Sequence, residues 1–148
     1  SLHDALPIYE AAHSVLAWID ALAADYPDIP SIHVLGFSQG GAMSIELMRH
    51  RPHDFDSIVV LAGFALPAGS PLARARDTAL AEARPSVFWG RDPDDPVIST
   101  AMIEVTRRWL PEHVDLTARL YSGVGHGINL DELEDVAQFL RERLTENV

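Results

Sequence analysis

Short apolar runs alternate with longer amphipathic stretches along nearly the whole chain, and that alternation leaves few folds open. Residues 31–35, 56–63, 86–90 and 116–121 have the length and apolar character of strands. Residues 9–24 place Ala12, Val15, Leu16, Ile19, Leu22 and Ala23 at three- and four-residue spacing, which makes one apolar helix face. Pro27 and Pro30 end that helix. Residues 41–50, 72–83 and 130–144 read as further helices, and Ser99 is placed to cap one running to about residue 110. Strands alternating with helices of this length imply βαβ units, since a parallel strand is reached only by a long crossover. The expected class is therefore α/β, a mostly parallel sheet flanked by helices, with the strand at 31–35 covered on both faces. At 148 residues the chain has the length of one domain.

Composition narrows the function. The formal net charge is −11, so phosphate backbones and anionic membranes are repelled and no nucleic-acid partner is expected. No apolar run approaches the roughly 20 residues of a membrane span. The chain contains no cysteine, which removes disulfides, thiolate metal sites and a cysteine nucleophile. Residues 1–8 (Ser1-Leu2-His3-Asp4-Ala5-Leu6-Pro7-Ile8) read as the translation of a sequencing adapter, the alternative being a native loop with Pro7 at a helix start. On the adapter reading the domain is residues 9–148 and the true N-terminus is missing. The expected location is cytoplasmic, with a signal peptide left open.

One junction carries chemistry. Gly36-Phe37-Ser38-Gln39-Gly40 lies between a strand and a helix, where a tight turn lifts a serine hydroxyl above the sheet edge. Such a turn holds Ser38 in a strained conformation, and Gly36 and Gly40 are expected to flank it because a Cβ at either would collide. Ser38 would stand at a helix N-terminus, with the Gln39 N–H aimed at an oxyanion formed on attack. The bland reading is a glycine-rich strand-to-helix turn with Ser38 as a cap.

A serine hydroxyl needs a base, and the base needs an orienting acid. In this arrangement they follow in the order serine, acid, histidine, each after a later strand. The strand at 86–90 leads into Arg91-Asp92-Pro93-Asp94-Asp95-Pro96-Val97-Ile98, and the strand at 116–121 leads into Gly123-Val124-Gly125-His126-Gly127. Of seven histidines, His126 alone follows the last strand in a flexible loop. His13 falls in a helix, His33 in a strand, His50, His53 and His113 at helix ends or connections, and His3 in the suspect segment. Asp95, fixed by the following proline, is the expected acid; Asp92 is the alternative.

Gly36-Phe37-Ser38-Gln39-Gly40-Gly41-Ala42, Asp95-Pro96-Val97-Ile98 and Gly125-His126 together resemble the phospholipase/carboxylesterase family of α/β-hydrolases, over residues 9–144. The resemblance implies the C-terminal portion of that fold. It also implies a cofactor-free, metal-free serine hydrolase that cleaves small-molecule carboxylic esters or thioesters through an acyl-enzyme, with Ser38, Asp95 and His126 as triad. A serine peptidase or dienelactone-type hydrolase on the same fold, or a non-catalytic binding module, are the alternatives. Two departures stand out. The family's early strand and His-Gly loop, which supplies the second oxyanion N–H, have no counterpart. Ala62-Gly63-Phe64-Ala65-Leu66-Pro67 matches only loosely, leaving Phe64 and Leu66 as candidates for an acyl-pocket lining. Losing one oxyanion donor costs roughly 10²–10³ in kcat. An exposed sheet edge invites association. The chain as written is therefore expected to be poorly soluble or nearly inactive.

Overall fold

The structure, a computed structural model, describes the backbone of residues 2–146 and the side chains of residues 5–144. Its elements follow one another as α1 (Leu2–Asp25), β1 (His33–Phe37), α2 (Gln39–His50), β2 (Ser57–Leu61), α3 (Pro71–Ala83), β3 (Ser86–Arg91), α4 (Thr100–His113), β4 (Asp115–Leu120) and α5 (Leu130–Glu146). The four strands form one sheet in the order β1-β2-β3-β4, every neighbouring pair parallel.

Because side chains alternate across a strand, β2 serves two cores at once. Ile58 and Val60 face α1 to α4 and join Leu16, Ile45, Leu47, Leu80, Trp89 and Leu110 in the larger core. Val59 and Leu61 face the other way and pack with Phe88, Tyr121, Val136 and Phe139 beneath α5. The three crossovers α2, α3 and α4 lie on one face because each advances one strand in the same direction with the usual right-handed sense. All five β2 residues are buried, as a central parallel strand requires.

Two expectations need correction. The first helix begins at Leu2, not near residue 9, and Pro7 lies inside it. Ala5 and Ile8 are buried against Ala42 and Leu66, which gives those early turns an apolar face to cover. His3 falls outside the described side chains. Nor is β1 covered on both faces: Leu35 is 53% exposed, and Phe37 is exposed as well. β1 ends the sheet, and α5 packs against β2 and β3 without reaching it, so one face of β1 carries no helix among the described residues.

Candidate active site

At the end of β1 the chain reverses into α2 through one residue. Ser38 has φ 57 and ψ −118, a region an L-residue enters only at a cost of about 1–3 kcal/mol. The turn is held from both sides: Ser38 N–H donates to Leu61 O of β2 at 2.9 Å, and Ser38 O accepts from Gly41 and Ala42 N–H. Gly36 is obligatory here, since a Cβ would sit 2.0 Å from Gly40 O and 2.5 Å from Ser44 Oγ. The expectation for Gly40 fails, because a Cβ there would meet nothing within 4 Å. The crowding is carried instead by the carbonyl of Gly40 and by Gly41, where a Cβ would lie 3.0 Å from Val60 Cγ1 and 3.1 Å from the Gly63 Cα. The Gln39 N–H opens α2 among the donors that a helix leaves unpaired in its first turn.

The parallel register brings three loops together above the sheet. Ser38 Oγ lies 2.9 Å from Nε2 of His126, and Nδ1 of His126 lies 2.8 Å from Oδ2 of Asp95. Asp95 is an acceptor only, so Nδ1 carries the proton and Nε2 presents its lone pair to the serine. The other oxygen of Asp95 accepts from Val97 N–H at 2.8 Å and Ile98 N–H at 3.2 Å. Burial opposes its charge, but the His126 hydrogen bond and those two N–H groups outweigh it, holding the carboxyl below its ordinary range. The ring of Phe37 packs against that of His126 with centroids 5.0 Å apart, a contact the sequence did not announce.

Asp92 takes no part in that chain of hydrogen bonds. It is 4% exposed and accepts from Asp94 N–H at 2.9 Å and Gly125 N–H at 2.7 Å. These two donors, helped by Val124 and Gly123 N–H, hold its pKa down against the effect of burial. Four of the other described histidines are engaged elsewhere, and His53 lies exposed between α2 and β2. His33 bonds Ser57 and Ser31, His113 bonds Trp109 O, and His13 packs on His50. Leu66 is buried in the contact between α1 and α2, with Phe64 half-buried at its margin, so Leu66 is committed to packing. The segment bearing both is held by Thr106 Oγ1, which accepts from Ala65 N–H at 2.8 Å, and by Trp89 Nε1–H, which donates to Gly63 O. Among the described residues no group of three or more His, Asp or Glu converges as a metal site would need. No described helix is long and apolar enough to cross a membrane.

Comparisons with known proteins bear on the family and the fold. A family model described as phospholipase/carboxylesterase matches residues 3–144. Carboxylesterase SOBER1 of Arabidopsis thaliana is 25% identical over 142 residues, covering 95% of this chain and 61% of the relative. Acyl-protein thioesterase 1 of Saccharomyces cerevisiae is 26% identical over 113 residues, covering 74% of this chain and 48% of the relative. The chain thus spans about half to three-fifths of these relatives' lengths. Among solved structures, Arabidopsis SOBER1 superposes with a TM-score of 0.73 at 21% identity, covering 93% of this chain and 64% of that one. A Bacillus cereus carboxylesterase gives 0.73 at 20% identity, covering 92% and 61%. Those two show the same α/β-hydrolase fold, and the family model decides the assignment: this chain belongs to the phospholipase/carboxylesterase family.

Proposed function

We propose that this chain is the triad-bearing part of a serine hydrolase that cleaves small carboxylic esters or thioesters through an acyl-enzyme. The observation that carries the reading is the unbroken line Ser38 Oγ–His126–Asp95, with both links at 2.8–2.9 Å. Ser38 Oγ attacks the acyl carbonyl carbon while its proton passes to Nε2 of His126. The oxyanion is met by the Gln39 N–H at the head of α2, where the helix dipole also favours negative charge. As the carbonyl re-forms, the bond to the alkoxide or thiolate breaks and the imidazolium protonates that leaving group. Water then attacks the Ser38 acyl ester, giving its proton to His126, which returns it to Ser38 Oγ as the carboxylic acid departs. Asp95 accepts from Nδ1–H throughout, fixing the tautomer and stabilising the imidazolium without taking its proton. Relatives named as a carboxylesterase and an acyl-protein thioesterase support the substrate class.

The test is pre-steady-state hydrolysis of p-nitrophenyl esters of short- and medium-chain acids. The expected result is a burst of nitrophenol not exceeding one per chain, absent from Ser38→Ala and His126→Ala. Undiminished hydrolysis by Ser38→Ala would overturn the reading.

A further inference from the structure

Resting on the triad reading above, we propose that Asp92 is the positioning residue of the base: its carboxylate fixes the backbone of the loop that carries His126. β3 and β4 end side by side, with Tyr121 N–H donating to Arg91 O at 2.9 Å. Asp92 follows directly on one side, and the loop from Ser122 to Asn129 on the other. The carboxylate divides its two oxygens between them. Oδ1 accepts from Asp94 N–H and closes its own turn, whereas Oδ2 reaches Gly125 N–H, 33 positions away and immediately before His126.

The receiving loop is shaped for an anion. Gly123 has φ 85 and Gly125 φ 67. Left-handed residues of this kind turn successive N–H groups to one side, and the concavity so formed binds negative charge. Here the protein fills it with its own carboxylate. Asp92 also reaches the acid, since its carbonyl oxygen accepts from Asp95 N–H at 3.3 Å. One buried residue therefore touches the backbone at the acid and beside the base. Its side chain contacts neither the serine nor the imidazole. It acts through the loop.

Asp92→Asn keeps the shape but turns an acceptor into a donor that faces N–H groups. Misplacing a reacting group by about 1 Å can cost on the order of 10²-fold in rate. The expected result is a fall in kcat for ester hydrolysis of about that size with KM little changed. A second readout needs no turnover: the far-downfield proton resonance of His126 Nδ1–H in its bond to Asp95. It should shift or broaden in Asp92→Asn, be present in the wild type, and vanish in Asp95→Asn. Should Asp92→Asn not fold, Gly125→Ala serves, since its Cβ meets nothing within 4 Å and only strains the φ of 67 that aims the N–H. A folded Asp92→Asn, or failing that Gly125→Ala, with wild-type kcat and an unmoved resonance would overturn the proposal. If the folded wild type turns over no ester and its Ser38 takes no fluorophosphonate, the hydrolase reading falls, and the resonance still decides whether Asp92 positions His126.

Discussion

Nε2 of His126 stands 2.9 Å from Ser38 Oγ although 88 positions separate the two residues in the chain. The contact exists because β1 and β4 run parallel at opposite ends of one sheet, so the loops after them open on the same edge. On the proposed reading, removing the imidazole leaves Ser38 without a base, while removing the Asp95 charge leaves a base in the wrong tautomer. His126→Ala and Asp95→Asn should each lower kcat by roughly 10³–10⁴-fold with the melting temperature nearly unchanged. Steady-state kinetics with thermal melts checks this, and an Asp95→Asn enzyme less impaired than Asp92→Asn would reassign the acid.

The two glycines of the pentapeptide should part company. Gly36→Ala drives a Cβ to 2.0 Å from the Gly40 carbonyl, so the elbow must open and Ser38 must move. Gly40→Ala enters open space in the first turn of α2, where alanine is favoured over glycine by about 0.5–1 kcal/mol. Melting temperature and burst amplitude should both collapse in the first variant. The second should be as stable as the wild type or more so, with its burst retained.

Glu132 gives the stability of the fold a pH dependence of its own. It is 1% exposed, neither carboxylate oxygen finds a hydrogen-bond partner, and it lies over Gly90 at the end of β3. Burial, then the charge of Asp135, raises its pKa from 4.5 to about 6. The folded state thus holds this proton more tightly than the unfolded chain. The stability it contributes is complete below pH 4.5 and is lost as the pH rises through about 6. Glu132→Gln should melt higher than the wild type near pH 7, with the advantage gone below about pH 4.5. Equal shifts at both pH values would trace the effect to packing instead of charge.

Arg49 is a structural counterpart on the opposite face. Its guanidinium bonds Glu46 at 2.7 Å and Asp77 at 2.9 Å, all three side chains are buried, and it lies over the ring of Trp109. Arg49→Leu strands two carboxylates and should cost roughly 3–5 kcal/mol. Urea unfolding measures it, and a loss under 1 kcal/mol would mean that water reaches the pair.

Much of this was legible in the chain because it depends on local pattern. The β/α alternation follows from short apolar runs and helical spacing, and the boundaries of β2 to β4 and α3 to α5 agree with the expected ones to within a few residues. Ser38, Asp95 and His126 could be singled out because each stands just past a strand in the order a parallel sheet demands. What escaped depends on contacts between distant segments. The partner of Asp92 escaped, because nothing in Asp-Pro-Asp-Asp-Pro says that its carboxylate meets the Gly125 N–H. Gly40 is indistinguishable from Gly36 until the carbonyl that crowds one is seen to belong to the other. Phe37 meets His126, and Glu132 meets Gly90, only after the sheet has formed. The exposed face of β1 escaped for the same reason, since an apolar run reads alike whether one face or both are covered.

The central claim is that Ser38 is a nucleophile activated by His126, and a fluorophosphonate tests it most directly. Tandem mass spectrometry of the treated chain should place a single phosphonyl group on Ser38, with no adduct in Ser38→Ala and little in His126→Ala. A folded wild type that stays unmodified, or an adduct on another residue, would contradict the account.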